Sequence, residues 1–165
     1  MIYLNSVEAL YKHLREAGVL NCAYPNLILI GGCSRSGKST VAAKLAKKLS
    51  GDKVANCTVK LDSWLVSLEK RRAASKVMER YESKKIIHSL KDILKGEVVY
   101  PPVYDVNSRR RIAEHGSDGI FIKDGVVIAE GIIALALEKL MDKALLKIFV
   151  SVPDRVRIKR LKYFY

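Results

Sequence analysis

GGCSRSGKST, residues 31–40, places Gly32 and Gly37 on either side of a polar run and follows them with Lys38, Ser39 and Thr40. The spacing fits G-x-x-x-x-G-K-[ST], a loop whose backbone N–H groups converge on phosphate oxygens. That reading requires a buried strand before the loop and a helix after it. Both are legible. NLILI (26–30) is a continuous apolar run of the kind buried on both faces of a parallel sheet. Beyond the loop, Val41, Ala42, Leu45, Ala46 and Leu49 recur at helical spacing, with Gly51 as the expected C-cap. Gly32, Ser34, Arg35, Ser36, Gly37, Lys38, Ser39 and Thr40 are therefore the candidate nucleotide-binding residues. Lys38 would reach the β- and γ-phosphates of a nucleotide, and the Ser39 hydroxyl would hold Mg²⁺.

Outward from the loop, strand and helix signals alternate. Residues 6–17 read as an amphipathic helix with Asn5 and Glu8 as a candidate capping pair. Residues 53–61 read as a second strand, 79–94 as a helix and 124–131 as a turn, a buried strand and a glycine. A helix over 133–140, a strand over 145–152 and a basic C-terminal helix complete the pattern. This alternation predicts an α/β fold of the P-loop NTPase type, a doubly wound parallel sheet flanked by helices. Residues 1–25 are expected to form an N-terminal helix and linker, and 26–165 the P-loop domain.

Composition narrows the class. The 165 residues are 49% hydrophobic, enough for one domain with a core. No apolar run approaches the roughly 20 residues needed to cross a bilayer, and residues 1–18 do not read as a signal peptide. The expectation is a cytoplasmic protein without a membrane partner. Cys22, Cys33 and Cys57 lack metal-ligand spacing and read as reduced thiols. Thirty Lys and Arg against 17 acidic residues give a formal charge of +13, concentrated at 70–72, 109–111 and 155–162. Such a surface attracts polyanions, nucleotides and nucleic acids alike.

Two carboxylates stand where phosphate chemistry would use them. Asp62 ends the second strand, at the sheet edge where α/β ligand sites form, and could orient and deprotonate an acceptor hydroxyl; a helix N-cap is the alternative reading. Glu130 closes VVIAE (126–130), the place of a Walker-B acid on the Mg²⁺ side, or else faces solvent at a strand end. No N-K-x-D guanine-reading motif is present. Trp64 could wall an acceptor pocket or sit in the core. His13, His88 and His115 occupy settings without a catalytic reading.

The stretches GGCSRSGKST, LDSW (61–64), KGEVVYPPVYD (95–105), VVIAEGIIAL (126–135) and IFVSVPDRVRIKR (148–160) resemble, in order, the uridine kinase and phosphoribulokinase family of P-loop kinases. The resemblance implies ATP and Mg²⁺ as cofactors and a small substrate-loop hairpin. It implies Asp62 as catalytic base beside Lys38, Tyr104 and Asp105 in the substrate loop, and Glu130 with Ser39 on the metal side. By the same likeness Arg157 would contact the acceptor sugar and Arg160 the ATP phosphates. The likeness breaks off at LKYFY (161–165), before the family's lid and last strand, so a domain lacking both is expected, either as a fragment or with a disordered tail.

Departures from the family pattern bear on the acceptor. Uridine kinases carry a D-H-P-x-A-F-D stretch whose first Asp holds the ribose diol; here the region reads SKVMERYES (75–83), with Glu79 as the available acid. After the P-V-Y-D stretch the family has a Phe and a pyrimidine-reading His, whereas here Val106, Asn107, Ser108, Arg109, Arg110 and Arg111 follow. Arginines at a substrate loop, Arg109 first, suit an anionic acceptor; a solvated basic hairpin is the competing reading. The favoured function is ATP-dependent phosphorylation of a hydroxyl on a nucleoside or related sugar compound. A kinase for a sugar phosphate or pantothenate, and a nucleic-acid-associated NTPase, are the alternatives. Nucleic acid is disfavoured because no basic surface with interleaved aromatics is evident. An oligomer is compatible with the sequence.

Overall fold

A computed structural model describes residues 6–18, 23–73 and 75–163. Four parallel strands, β1 (Asn26–Gly31), β2 (Asn56–Lys60), β5 (Val126–Glu130) and β6 (Ala144–Phe149), form one sheet in the order β2-β5-β1-β6. A short antiparallel hairpin of β3 (Val103–Asp105) and β4 (Arg110–Ala113) stands apart from it. This is the α/β P-loop architecture with its small hairpin.

Strand alternation divides the core in two. Successive side chains of a strand point to opposite faces. Leu27 and Leu29 of β1, with Val127 and Ala129 of β5, pack against Ile86, Leu90 and Ile93 of α3 (Ser83–Leu94). Ile28 and Ile30, with Val126 and Ile128, pack against Leu45 and Leu49 of α2 (Lys38–Gly51). Both central strands are buried on both faces, which is why they read as uninterrupted apolar runs. The edge strand β6 alternates instead, leaving Leu145 and Phe149 exposed.

Helix α1 (Val7–Glu16) extends the second layer by placing Leu10, Tyr11 and Leu14 against α2, and the Tyr11 hydroxyl donates to Asp52 Oδ2 at 2.5 Å. Its N-cap is Ser6, whose Oγ accepts from the Ala9 N–H at 3.1 Å. The expected cap, Asn5, lies outside the described residues, as does Cys22.

Several expected elements have different boundaries, and the strands expected over 53–61 and 145–152 run Asn56–Lys60 and Ala144–Phe149. Gly51 is the last residue of α2 and Asp52 its C-cap. Helix α3 begins at Ser83 rather than 79, because the backbone of residues 80–82 bonds laterally. The Arg80 carbonyl accepts from Val66 N–H at 2.9 Å, and Glu82 N–H donates to the Trp64 carbonyl at 3.1 Å. The helix expected over 133–140 is divided into a 3-10 turn, Ala134–Ala136, and α4 (Glu138–Met141), with the break at Leu137 where ψ is 76°. Ile133, Ala134, Leu137 and Leu140 are buried in either arrangement, so periodicity does not separate the two. Helix α5 (Asp154–Lys162) follows β6.

Candidate active site

The register of the sheet sets Ile30, Lys60 and Glu130 level with one another at the carboxyl ends of β1, β2 and β5. The glycine loop leaves β1 there. Gly32 adopts φ 143°, and a Cβ on it would stand 2.3 Å from the Val150 carbonyl oxygen, so the close approach of the loop to the chain after β6 requires glycine. Gly37, at φ 101°, turns the chain into α2, whose first hydrogen bond runs from Val41 N–H to the Gly37 carbonyl at 2.9 Å. Arg35 lies in the left-handed region at φ 63°. The result is a loop folded over a helix N-terminus, where unpaired N–H groups favour an anion.

Lys38 folds back across this loop, its Nζ donating to the Cys33 carbonyl at 2.9 Å. Desolvation lowers its pKa, opposed by the charges of Glu130 and Asp62. Ser39 Oγ donates to Glu130 Oε1 at 2.9 Å. Burial pushes the Glu130 carboxyl up from its ordinary value, and the Ser39 hydrogen bond works against that. The Ser36 hydroxyl is 3% exposed and has no hydrogen-bond partner among the described residues. Ser34 and Thr40 are exposed at the loop. From α5, Arg160 Nη1 donates to the Arg35 carbonyl at 3.1 Å, bringing a cation to the outer rim. Arg157 is folded back on Asp154 of its own helix, at 3.0 Å.

Asp62 sits on the 3-10 turn Leu61–Trp64 that follows β2, exposed to solvent, with Oδ1 accepting from the Tyr81 hydroxyl at 2.8 Å. Tyr81 is 7% exposed and its ionisation is strongly suppressed, first by burial and then by the Asp62 charge. Trp64 is 2% exposed and belongs to the core. Strand β3 packs against the same turn, which brings Tyr104 to this side of the sheet. There the Arg71 guanidinium donates from Nη2 to the Tyr104 hydroxyl at 2.6 Å and from Nε to the Val66 carbonyl at 2.7 Å.

The hairpin arginines are arranged differently from the sequence expectation of a common row. Arg111 is drawn inward, its side chain 10% exposed, to pair with Glu82 and to donate to the Leu65 carbonyl at 3.0 Å. Arg110 pairs with Glu69 at 2.9 Å on the surface. Arg109 forms part of the hairpin turn at φ 55°, its carbonyl accepting from Leu68 N–H at 2.9 Å. Asp105 accepts from the N–H groups of Asn107 and Ser108 at 3.1 and 3.0 Å, which holds that turn and lowers its pKa, chiefly through Ser108. Glu79, the acid available in place of the family's diol-binding Asp, caps its own 3-10 turn by accepting from Lys76 N–H.

Sequence reasoning missed Arg71 and Tyr81. Arg71 was visible only as one of three adjacent cations. Tyr81 falls within the helix expected over 79–94, and no local pattern reports that its hydroxyl reaches Asp62.

A family model described as an AAA domain matches residues 28–163. A uridine kinase of Staphylococcus haemolyticus is 32% identical over 142 residues, covering 84% of this chain and 67% of the relative. The chain belongs to the uridine kinase-like P-loop family. A uridine kinase of Staphylococcus epidermidis is 33% identical over 138 residues, 81% of this chain and 65% of that protein. The chain thus spans about two thirds of the length of the family members it matches. Among solved structures, "Structure of a Possible Uridine Kinase from Bacillus stearothermophilus" superposes with a TM-score of 0.73 at 19% identity, over 96% of this chain and 89% of that one. Family membership establishes a nucleotide-binding loop and the fold around it. No helix among the described residues is long and apolar enough to cross a membrane.

Proposed function

We propose that this protein transfers the γ-phosphoryl group of ATP to a hydroxyl of a nucleoside or related small sugar compound. The observation that carries this reading is the convergence of Lys38, Ser39, Glu130 and Asp62 at the carboxyl ends of β1, β2 and β5, the place where open parallel sheets bind ligands. A phosphate-binding loop alone would suit an NTPase. A carboxylate held beside it by Tyr81 adds a group able to accept a proton from an alcohol.

In the proposed reaction the acceptor oxygen attacks the γ-phosphorus, forming a new O–P bond. The bond from that phosphorus to the β–γ bridging oxygen breaks, its electron pair leaves with ADP, and the hydroxyl proton passes to Asp62. Lys38 offsets charge on the transferring group, which requires it to exchange the Cys33 carbonyl for phosphate oxygen. The buried, unpartnered Ser36 hydroxyl fits a phosphate oxygen in the cradle. Ser39 and Glu130 already place two hard oxygen donors together, which fits Mg²⁺ held by one carboxylate and substrate phosphates. When bound there, that ion would neutralise charge between the β- and γ-phosphates. Gly32, Ser34, Arg35, Gly37 and Thr40 are the remaining proposed nucleotide contacts, joined by Arg160 from α5. Tyr104, Asp105, Arg109 and Arg157 are the proposed acceptor-side residues. Residues 26–165 are taken as the catalytic unit, with residues 1–25 appended to it through α1, and the cytoplasm as its location.

The test is ADP release from ATP and Mg²⁺ in the presence of nucleosides, pentoses, pentose phosphates, pantothenate or RNA in turn. Acceptor-dependent ADP release with a phosphorylated small-molecule product is expected. Stimulation by RNA alone would overturn the reading in favour of a nucleic-acid-associated NTPase.

A further inference from the structure

The basic clusters of the sequence are not equivalent once folded. Arg110, Arg111 and Arg157 each meet a carboxylate, those of Glu69, Glu82 and Asp154. Arg71 is half-buried, and no carboxylate of the described residues lies within ion-pairing distance of it. Its two hydrogen bonds go to neutral oxygens, the Tyr104 hydroxyl and the Val66 carbonyl, and the ring of Tyr104 lies 5.8 Å from the guanidinium carbon. The Nη1 end of the fork makes no hydrogen bond to the described residues. A guanidinium drawn partly out of water and held rigid without a counter-charge is an unbalanced cation.

Its position matters as much as its charge. Tyr104 lies on β3, which packs against the Leu61–Trp64 turn carrying Asp62. Tyr81 ties the two sides together. Its hydroxyl bonds Asp62, and its ionisation is also influenced by the charge of Arg71 and by Tyr104. Through Tyr104 and the turn that carries Asp62, the cation is therefore grouped with the proposed base rather than with Lys38 and Arg160 at the glycine loop.

We propose that Arg71, held by Tyr104 and Val66, is an anion subsite for the phosphoryl acceptor, so that the acceptor is a hydroxyl compound bearing a phosphate or carboxylate rather than a neutral nucleoside. The proposal rests on the kinase reading and narrows its substrate class. It relocates the anion contact from the hairpin arginines, two of which the fold has already neutralised, to an arginine without an acidic partner.

The experiment is calorimetric titration of the ADP-bound chain with matched pairs of probes that differ in charge: ribose and ribose 5-phosphate, panthenol and pantothenate, glycerol and glycerate. At least one anionic member should bind about tenfold or more tightly than its neutral partner, the usual worth of a charge-assisted hydrogen bond. Arg71→Gln should abolish that preference, Arg71→Lys should retain part of it, and ADP affinity should be unchanged in both, which also reports that they fold. Equal binding of charged and neutral members by the unsubstituted chain, or no binding of any pair, overturns the proposal without recourse to a variant. A charge preference that survives in Arg71→Gln overturns it as well. Phosphoryl transfer is scored separately: an Arg71-dependent anion preference without transfer to any acceptor leaves the subsite standing and removes the kinase reading.

Discussion

The Tyr81 hydroxyl, on a buried side chain, donates a 2.8 Å hydrogen bond to Oδ1 of the exposed Asp62. One carboxylate oxygen is thereby held by a core side chain, which leaves Oδ2 for the acceptor in the proposed reaction. Asp62→Asn should lower kcat by at least roughly a hundredfold, as expected for a positioned base, with ATP affinity little changed. Tyr81→Phe should lower kcat by about tenfold through lost positioning. In the Asp62→Asn background the same Tyr81 substitution should have almost no further effect on turnover, a non-additivity that steady-state kinetics of the two single variants and the double variant will measure. Additive losses would mean that Tyr81 acts through packing alone.

Lys38 stands in the loop with its ammonium on a backbone carbonyl rather than on a structural acid. Lys38→Ala should therefore abolish phosphoryl transfer and leave the melting temperature within a few degrees of the original, since no buried carboxylate loses an ion-pair partner. Product formation by the variant, followed by phosphate-transfer chromatography, would remove Lys38 from the chemistry.

Arg110 and Arg111 are adjacent in sequence and opposite in consequence. The Arg111–Glu82 pair is largely withdrawn from solvent, with side chains 10% and 27% exposed, while Arg110 and Glu69 are 64% and 50% exposed. Arg111→Ala should destabilise the chain by about 1–2 kcal/mol, because Glu82 loses a partly desolvated partner but keeps Lys85 at 2.9 Å. Arg110→Ala should cost at most about 0.5 kcal/mol. Urea unfolding of the two variants checks both values.

Glu130 gives a dependence on pH. Its folded pKa is raised by burial, so its contribution to stability is full below the ordinary value of 4.5 and is lost as pH rises through the folded value. Glu130→Gln cannot titrate. The melting temperature of Glu130→Gln minus that of the unsubstituted protein, measured without nucleotide, should increase as pH is raised from about 4 to about 7. A difference that stays flat across this range would mean that the carboxylate is no harder to ionise in the folded chain.

Much of the nucleotide half of the site was legible, because its signals are local. A strand, a glycine loop and a helix in sequence are the same three parts in space, and Glu130 ends a strand whose apolar run marks its own boundary. The position of Asp62 was legible for the same reason, since it follows the end of β2. The proposed acceptor half was not legible, since it is made by contacts between distant segments. Arg71 meets Tyr104 across 33 residues, and Arg111 is removed from the hairpin surface by Glu82, 29 residues away. Charge clustering in sequence identified the arginines but carries no information on which of them meet a carboxylate. The boundaries of α3 failed where residues 80–82 used their backbone groups across to residues 64–66, a pairing that hydrophobic spacing does not encode.

The hydrogen bonds of Lys38 to the Cys33 carbonyl and of Ser39 to Glu130 occupy groups that the proposed reaction assigns to the nucleotide and its metal. Arrival of a triphosphate at the proposed site would therefore be an exchange of partners rather than a gain of new ones. Such an exchange subtracts the strength of two existing bonds from the affinity observed. Nucleotide should then dissociate readily, because each released side chain has a partner waiting within the same loop and strand.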